Sequence, residues 1–134
     1  MPNRIFTLIA GILGLSGVAL GAFGAHALKA KLAVSGQTPV WDTAVLYHLI
    51  HTVGILVVSR ALESERLPGK HRYLSVAALF WTTGVVLFSG SLYALALGGP
   101  HWLGPITPLG GLAFLIGWGC VLANGLTATT PSVD

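Results

Sequence analysis

The sequence predicts an all-α fold, a four-helix bundle embedded in a bilayer, with both termini on the cytoplasmic side. Four apolar stretches, at 5–25, 40–62, 73–97 and 106–126, fill most of the 134 residues. A hydrocarbon core about 30 Å thick needs roughly 20 apolar residues of helix to cross it, and all four stretches qualify. Charged residues make up only 8% of the chain and hydrophobic ones 54%, whereas an ordinary soluble domain carries about 25% charge. Connections this short leave room for one transmembrane domain, residues 1–134, with membrane lipid as its main neighbour.

Sidedness follows from the cations. With four spans, the termini and the middle connection share a side. That side holds Arg4, Arg60, Arg66, Lys70 and Arg72, against Lys29 and Lys31 on the other. An excess of Lys and Arg marks the cytoplasmic face. The net charge of +3 therefore reflects topology and gives no nucleic-acid footprint.

The first stretch must be weighed against a signal peptide, because Ala25-His26-Ala27 has the form of a cleavage site. Its apolar run of about 20 residues exceeds the roughly 7–15 of a signal core, so a transmembrane helix is expected. Gly14, Gly17, Gly21 and Gly24 fall on one stripe of that helix at about 100° per residue. Small residues let another helix approach closely, and such a stripe also allows a homo-oligomer. The segment 27–33 reads either as a short interfacial helix or as a plain loop ending at Ser35-Gly36.

Thr38-Pro39 opens the second span, with Thr38 expected as N-cap and Pro39 at the first helical position; Thr107-Pro108 repeats the pair at the fourth. Pro68-Gly69 predicts a turn in the middle connection, where His71 is also expected. Trp41, Tyr93 and Trp102 are candidates for one aromatic belt and Tyr73 for the other. Gly110 and Gly117 give the fourth span a close-packing face. Cys120, the single cysteine, excludes an intrachain disulfide and behaves as a small apolar group inside a span.

Polar groups at membrane depth are where a function is sought, because each is costly without a partner. On the second span Trp41, Ala44, His48, His51, Thr52, Ile55 and Ser59 share a sector of about 100°. Ala44 is read as leaving space beside His48 without offering it a partner. On the third span Ser75, Thr82, Ser89, Gly90 and Tyr93 share another sector, so Ser89 and Tyr93 reach the depth of His48. His26 ends the first span on the same side. Asp42 favours the positive end of the second helix and points away from the histidines, leaving His26 or Lys29 as cross-helix partners. These residues, with Thr107, form the candidate polar cluster.

Three readings of that cluster stay open. Neutral histidines bonded to Ser89, Tyr93 or a carbonyl would join the helices. A proton or small-solute pathway could run through histidine, tyrosine and serine. A metal or haem site could use the imidazoles, although the ligand count falls short. No P-loop, zinc-protease or nucleophile-elbow motif occurs, and no paired carboxylates lie in a span. The expectation is a structural or interaction protein with no catalytic residue, cofactor or metal.

Several strings occur together: Gly21-Ala22-Phe23-Gly24-Ala25-His26-Ala27-Leu28, Trp41-Asp42-Thr43-Ala44 and Tyr47-His48-Leu49-Ile50-His51-Thr52. Phe88-Ser89-Gly90-Ser91-Leu92-Tyr93, Ile106-Thr107-Pro108-Leu109-Gly110-Gly111 and Gly117-Trp118 complete the set. In this order the chain resembles the YgdD-like family of small bacterial inner-membrane proteins, which has mitochondrial relatives. The resemblance covers essentially the whole chain. It implies a four-span bundle in the inner membrane with no established activity, and it adds emphasis to Ser91 and Pro108.

Overall fold

Helix termini are set by glycines and prolines, and the spans between them by the apolar runs. The computed structural model describes residues 2–63 and 71–127. Its elements are α1 (Pro2–Ala25), α2 (Lys29–Val34), α3 (Thr38–Leu62), α4 (His71–Gly84), a π-helical turn (Val85–Ser89), α5 (Gly90–Ala96), a short 3-10 turn (His101–Leu103) and α6 (Ile106–Leu126). The third span is α4, the π turn and α5 in series, and the four long apolar helices have the length needed to cross a membrane. The Pro68-Gly69 turn, Arg66 and Lys70 lie outside the described residues. His71 opens α4 instead of sitting in the connection.

The segment expected as interfacial helix or loop is a helix, α2. It is anchored by Leu32, which is buried, while Val34 is exposed. Its end is a Schellman motif: Gly36 adopts φ 68°, its N–H bonds the Ala33 carbonyl, and the Gln37 N–H bonds the Leu32 carbonyl. The third span ends the same way. Gly98 at φ 87° bonds the Leu95 carbonyl, and Gly99 bonds Ala94. Only glycine takes these left-handed positions without strain.

The predicted threonine caps do not form. Gln37 and Pro105 hold the N-cap positions of α3 and α6, neither with a side-chain cap bond. Thr38 and Thr107 are already helical, and each proline sits in the first turn, where a missing N–H breaks no helical bond.

Packing follows chain order: α1 packs chiefly on α3, α3 on the third span, and the third span on α6. One core of Ile55, Val58, Leu62, Leu74, Ala78, Trp81, Val85 and Phe114 fills the middle and the terminal end. A second, of Leu32, Trp41, Ala44, Tyr93 and Ala96, fills the α2 end. Outside, Leu8, Ile12, Leu15, Val18, Leu115, Leu122 and others are exposed. A soluble monomer rarely shows apolar patches beyond a few hundred Å²; here lipid covers them.

The glycine stripe of α1 is used within the chain. A Cβ at Gly17 would meet Leu49 Cδ2 at 2.7 Å, one at Gly21 would touch Val45, and one at Gly24 would run into the Trp41 indole. Gly14 lies against Thr52. The stripe therefore seats α3, and a second copy cannot share Gly17, Gly21 and Gly24.

Hydroxyls inside the spans mostly bond back to their own helix. Thr52 donates to the His48 carbonyl at 2.7 Å, Thr82 to Ala78 at 2.8 Å and Ser59 to Leu56 at 2.7 Å. In lipid this is the cheapest way to satisfy them.

Candidate functional site

His48 and His51 share one face of α3, as the periodicity predicts, and each is only 4% exposed. At i, i+3 they are offset by about 60° around the helix, and that offset sends them into different interfaces. His48 faces α1 and α5. Its Nδ1 lies 3.1 Å from the Tyr93 hydroxyl, and its Nε2 lies 3.5 Å from Ser16 Oγ. Ser16 in turn donates to the Leu13 carbonyl at 3.1 Å. One proton arrangement satisfies the whole chain: Tyr93 donates to Nδ1, Nε2–H donates to Ser16, and Ser16 donates to Leu13. Three helices are joined by it.

Ser89 lies at the end of the π turn and is fully buried. Its hydroxyl donates 2.8 Å to the Ala44 carbonyl of α3. Ala44 offers His48 no partner, but its backbone carbonyl serves Ser89. Trp41, expected at a membrane interface, is instead 2% exposed and donates Nε1–H to the Leu20 carbonyl at 3.0 Å. Tyr93 is likewise buried, with its ring centroid 4.8 Å from that of Trp41. Both leave the aromatic belt, because an indole or phenol at a helix seam can bury its ring and still place its polar atom on a partner. Trp102 and Tyr73 remain exposed.

His51 faces α6. Its Nδ1 donates to the Tyr47 carbonyl at 2.8 Å, and its Nε2 accepts from Trp118 Nε1 at 3.1 Å. A carbonyl can only accept and an indole N–H can only donate, so these partners select the neutral Nδ1–H tautomer. The imidazole stacks on Phe114 with centroids 3.6 Å apart and 11° between planes. Trp81 meets its edge at 6.0 Å. Neither Trp81 nor Trp118 stood out in the sequence as a site residue. For Trp81 a usable signal was the glycines opposite it, since Cβ atoms at Gly54 and Gly117 would both collide with its ring.

The third-span sector read at a constant 100° per residue needs correction. The π turn adds a residue to one turn, so Gly90 is exposed while Ser91 is buried. Ser91 Oγ lies 2.6 Å from Thr107 Oγ1, which ties the third span to α6. Thr107 thus belongs to a separate pair and not to the histidine cluster. Such turns commonly re-aim side chains at functional positions.

Two further candidates stand apart. His26 is exposed beyond the end of α1, beside Ala22, Phe23 and Ala27. Asp42 is also exposed, and it pairs with neither His26 nor Lys29: among the described residues the one ion pair is Arg60–Glu63. The structure thus brings together His48, Tyr93 and Ser89, sets His51 behind them with Trp118, and leaves His26 and Asp42 at the surface. Among the described residues no three His, Cys, Asp or Glu side chains gather.

Gly110 and Gly117 seat the third span as expected. A Cβ at Gly110 would strike the Phe88 backbone, and one at Gly117 the Trp81 ring.

A family model described as "Protein of unknown function (DUF423)" matches residues 20–111, more than half of the chain. The chain belongs to this family. The match runs from Leu20, which receives Trp41, through His48, His51, Ser89, Tyr93 and Thr107. Among relatives, the UPF0382 membrane protein YwdK of Bacillus subtilis is 43% identical over 115 residues, covering 86% of this chain and 90% of its own. A UPF0382 membrane protein of Haemophilus influenzae is 43% identical over 118 residues, 88% and 90% of the two chains. The UPF0382 inner membrane protein YgdD of Escherichia coli is 35% identical over 130 residues, 94% and 92%. The resemblance read from the motifs is borne out. No solved structure matches the chain. With four spans and relatives of these names, the protein is a multi-pass protein of the inner membrane.

Proposed function

We propose that this protein is a non-catalytic structural or interaction component of the membrane, whose buried His, Ser and Tyr hydrogen bonds fix the helices in register. The observation that carries this reading is where the chain of bonds ends. Tyr93, His48 and Ser16 lead to the Leu13 carbonyl, which accepts a hydrogen bond but passes no proton onward. A pathway would need His26, His48, Ser89 and Tyr93 to line one hydrated cavity. Instead His26 is at the surface, and His48, Ser89 and Tyr93 are 4%, 0% and 9% exposed. The metal or haem reading loses ground as well, because all four imidazole nitrogens already face hydrogen-bond partners.

The termini and the 63–72 connection lie on the cytoplasmic side in this reading, by the excess of Lys and Arg there. Any homo-oligomer uses a surface other than the Gly17–Gly21–Gly24 stripe.

The test replaces His48 by Leu in full-length protein reconstituted into liposomes. The expected result is a lower midpoint of unfolding in a detergent titration, with proton and solute flux at the level of the unaltered protein. A flux that disappears while stability holds would overturn the proposal in favour of a pathway.

A further inference from the structure

The two Schellman turns that end α2 and the third span stand side by side at one end of the bundle. Between them lies a cavity of about 470 Å³ lined by Lys31, Ser35, Gln37, residues 95–99 and His101. Its lining residues flank the ends of the spans Thr38–Leu62, Arg72–Ala96 and His101–Leu126, which in a bilayer lie near the headgroups. One wall, at the end of α2, holds the Lys31 ammonium and the Gln37 amide, and the His101 imidazole comes from the 3-10 turn after α5. Neither Lys31 nor any other residue on this side forms an ion pair among the described residues.

The other wall is the C-terminal turn of α5, which carries the partial negative charge of a helix end. The N–H groups that follow it are already used: Leu97 bonds Tyr93, Gly98 bonds Leu95 and Gly99 bonds Ala94. Pro100 has no N–H. The carbonyls of Ala96 and Leu97 therefore receive no backbone hydrogen bond and are left to accept from outside.

From this geometry we infer that the cavity is a binding site for a zwitterionic phosphoethanolamine headgroup. The phosphate meets Lys31, and the primary ammonium donates to the carbonyls at the end of α5. The match discriminates among lipids. Phosphatidylcholine keeps the phosphate, but its trimethylated nitrogen has no N–H to donate. Phosphatidylglycerol keeps the anion and has no ammonium at all. A simple basic patch would favour the anionic lipid instead.

The inference goes beyond the structural role proposed above and does not depend on it. It is tested by native mass spectrometry of the full chain released from detergent with equimolar dioleoyl-phosphatidylethanolamine, -phosphatidylcholine and -phosphatidylglycerol. The expected result is preferential retention of phosphatidylethanolamine by about fivefold over each of the others, the worth of one net hydrogen bond. Lys31→Gln should lower the retention of all three lipids together, because each brings a phosphate to Lys31, and leave their order unchanged. Lys29→Gln, which removes the same charge from the same helix outside the cavity, should leave retention at its unaltered level. Equal retention of phosphatidylcholine, or dominance by phosphatidylglycerol, would overturn the site. So would a Lys31→Gln protein that retains every lipid as strongly as the unaltered protein and only loses thermal stability, since Lys31 would then merely neutralise the end of α5.

Discussion

His48 and His51 lie one turn apart on α3 and are buried to the same 4%, yet they stabilise different seams by different means. His48 belongs to a chain of hydroxyls that reaches α5 on one side and α1 on the other. Side chains line that seam: Leu49 meets Gly17, Val45 meets Gly21 and Trp41 fills the space at Gly24. His51 belongs to a stack of rings, with Phe114 on its face and Trp81 and Trp118 at its edge. The neighbouring seam between the third span and α6 brings backbone against backbone, Gly110 on Phe88. Burial alone does not distinguish the two histidines. What distinguishes them is whether the surrounding atoms can yield.

The largest effect expected from this contrast comes from the same substitution made in both seams. At Gly110 a new methyl would meet Phe88 Cα at 2.8 Å, and a backbone cannot move aside. At Gly17 it would meet the end of the Leu49 side chain at 2.7 Å, which can rotate. Gly110→Ala should cost about 3 kcal/mol and Gly17→Ala about 1 kcal/mol, the upper and lower ends of the overpacking range, read from unfolding in detergent titrations. Equal costs would erase the distinction between a rigid and a compliant seam.

Smaller effects separate the hydrogen bonds. In double-mutant cycles, His48 with Tyr93 and His51 with Trp118 should each show coupling near 0.6 kcal/mol, a typical value for interhelical bonds in membranes. The crossed pair, His48 with Trp118, should show none beyond error. Appreciable crossed coupling would mean that the two histidines act as one network. The smallest effects belong to the surface candidates: His26→Gln and Asp42→Asn should stay within about 0.5 kcal/mol of the unaltered protein. A larger loss at either would return that residue to the site.

Much of the polar site was legible before the structure, because helical periodicity survives where the helix is regular. His48, His51, Thr52, Ile55 and Ser59 are on the buried face of α3 as their spacing requires. On the third span the same arithmetic placed Ser89 and Tyr93 but missed one position at the end of the π turn, where Ser91 is buried and Gly90 is not. It failed again at the helix starts, where threonine before proline resembles a cap but is already helical. The aromatic assignments failed for a third reason. Composition cannot say whether a tryptophan near a span end stays exposed, as Trp102 does, or reaches a carbonyl of a neighbouring helix, as Trp41 does.

By itself the sequence determined the solvent, the number of spans and the buried face of α3. Each of these follows from local quantities: the length of an apolar run and the angle between successive residues. Only the tertiary structure decided that the α1 glycines seat α3, that Trp118 is the partner of His51, and that the bonds from Tyr93 stop at Leu13. Those outcomes depend on which faces meet across helices that are far apart in sequence. Spacing along one helix fixes where a side chain points, but the groove it enters belongs to another.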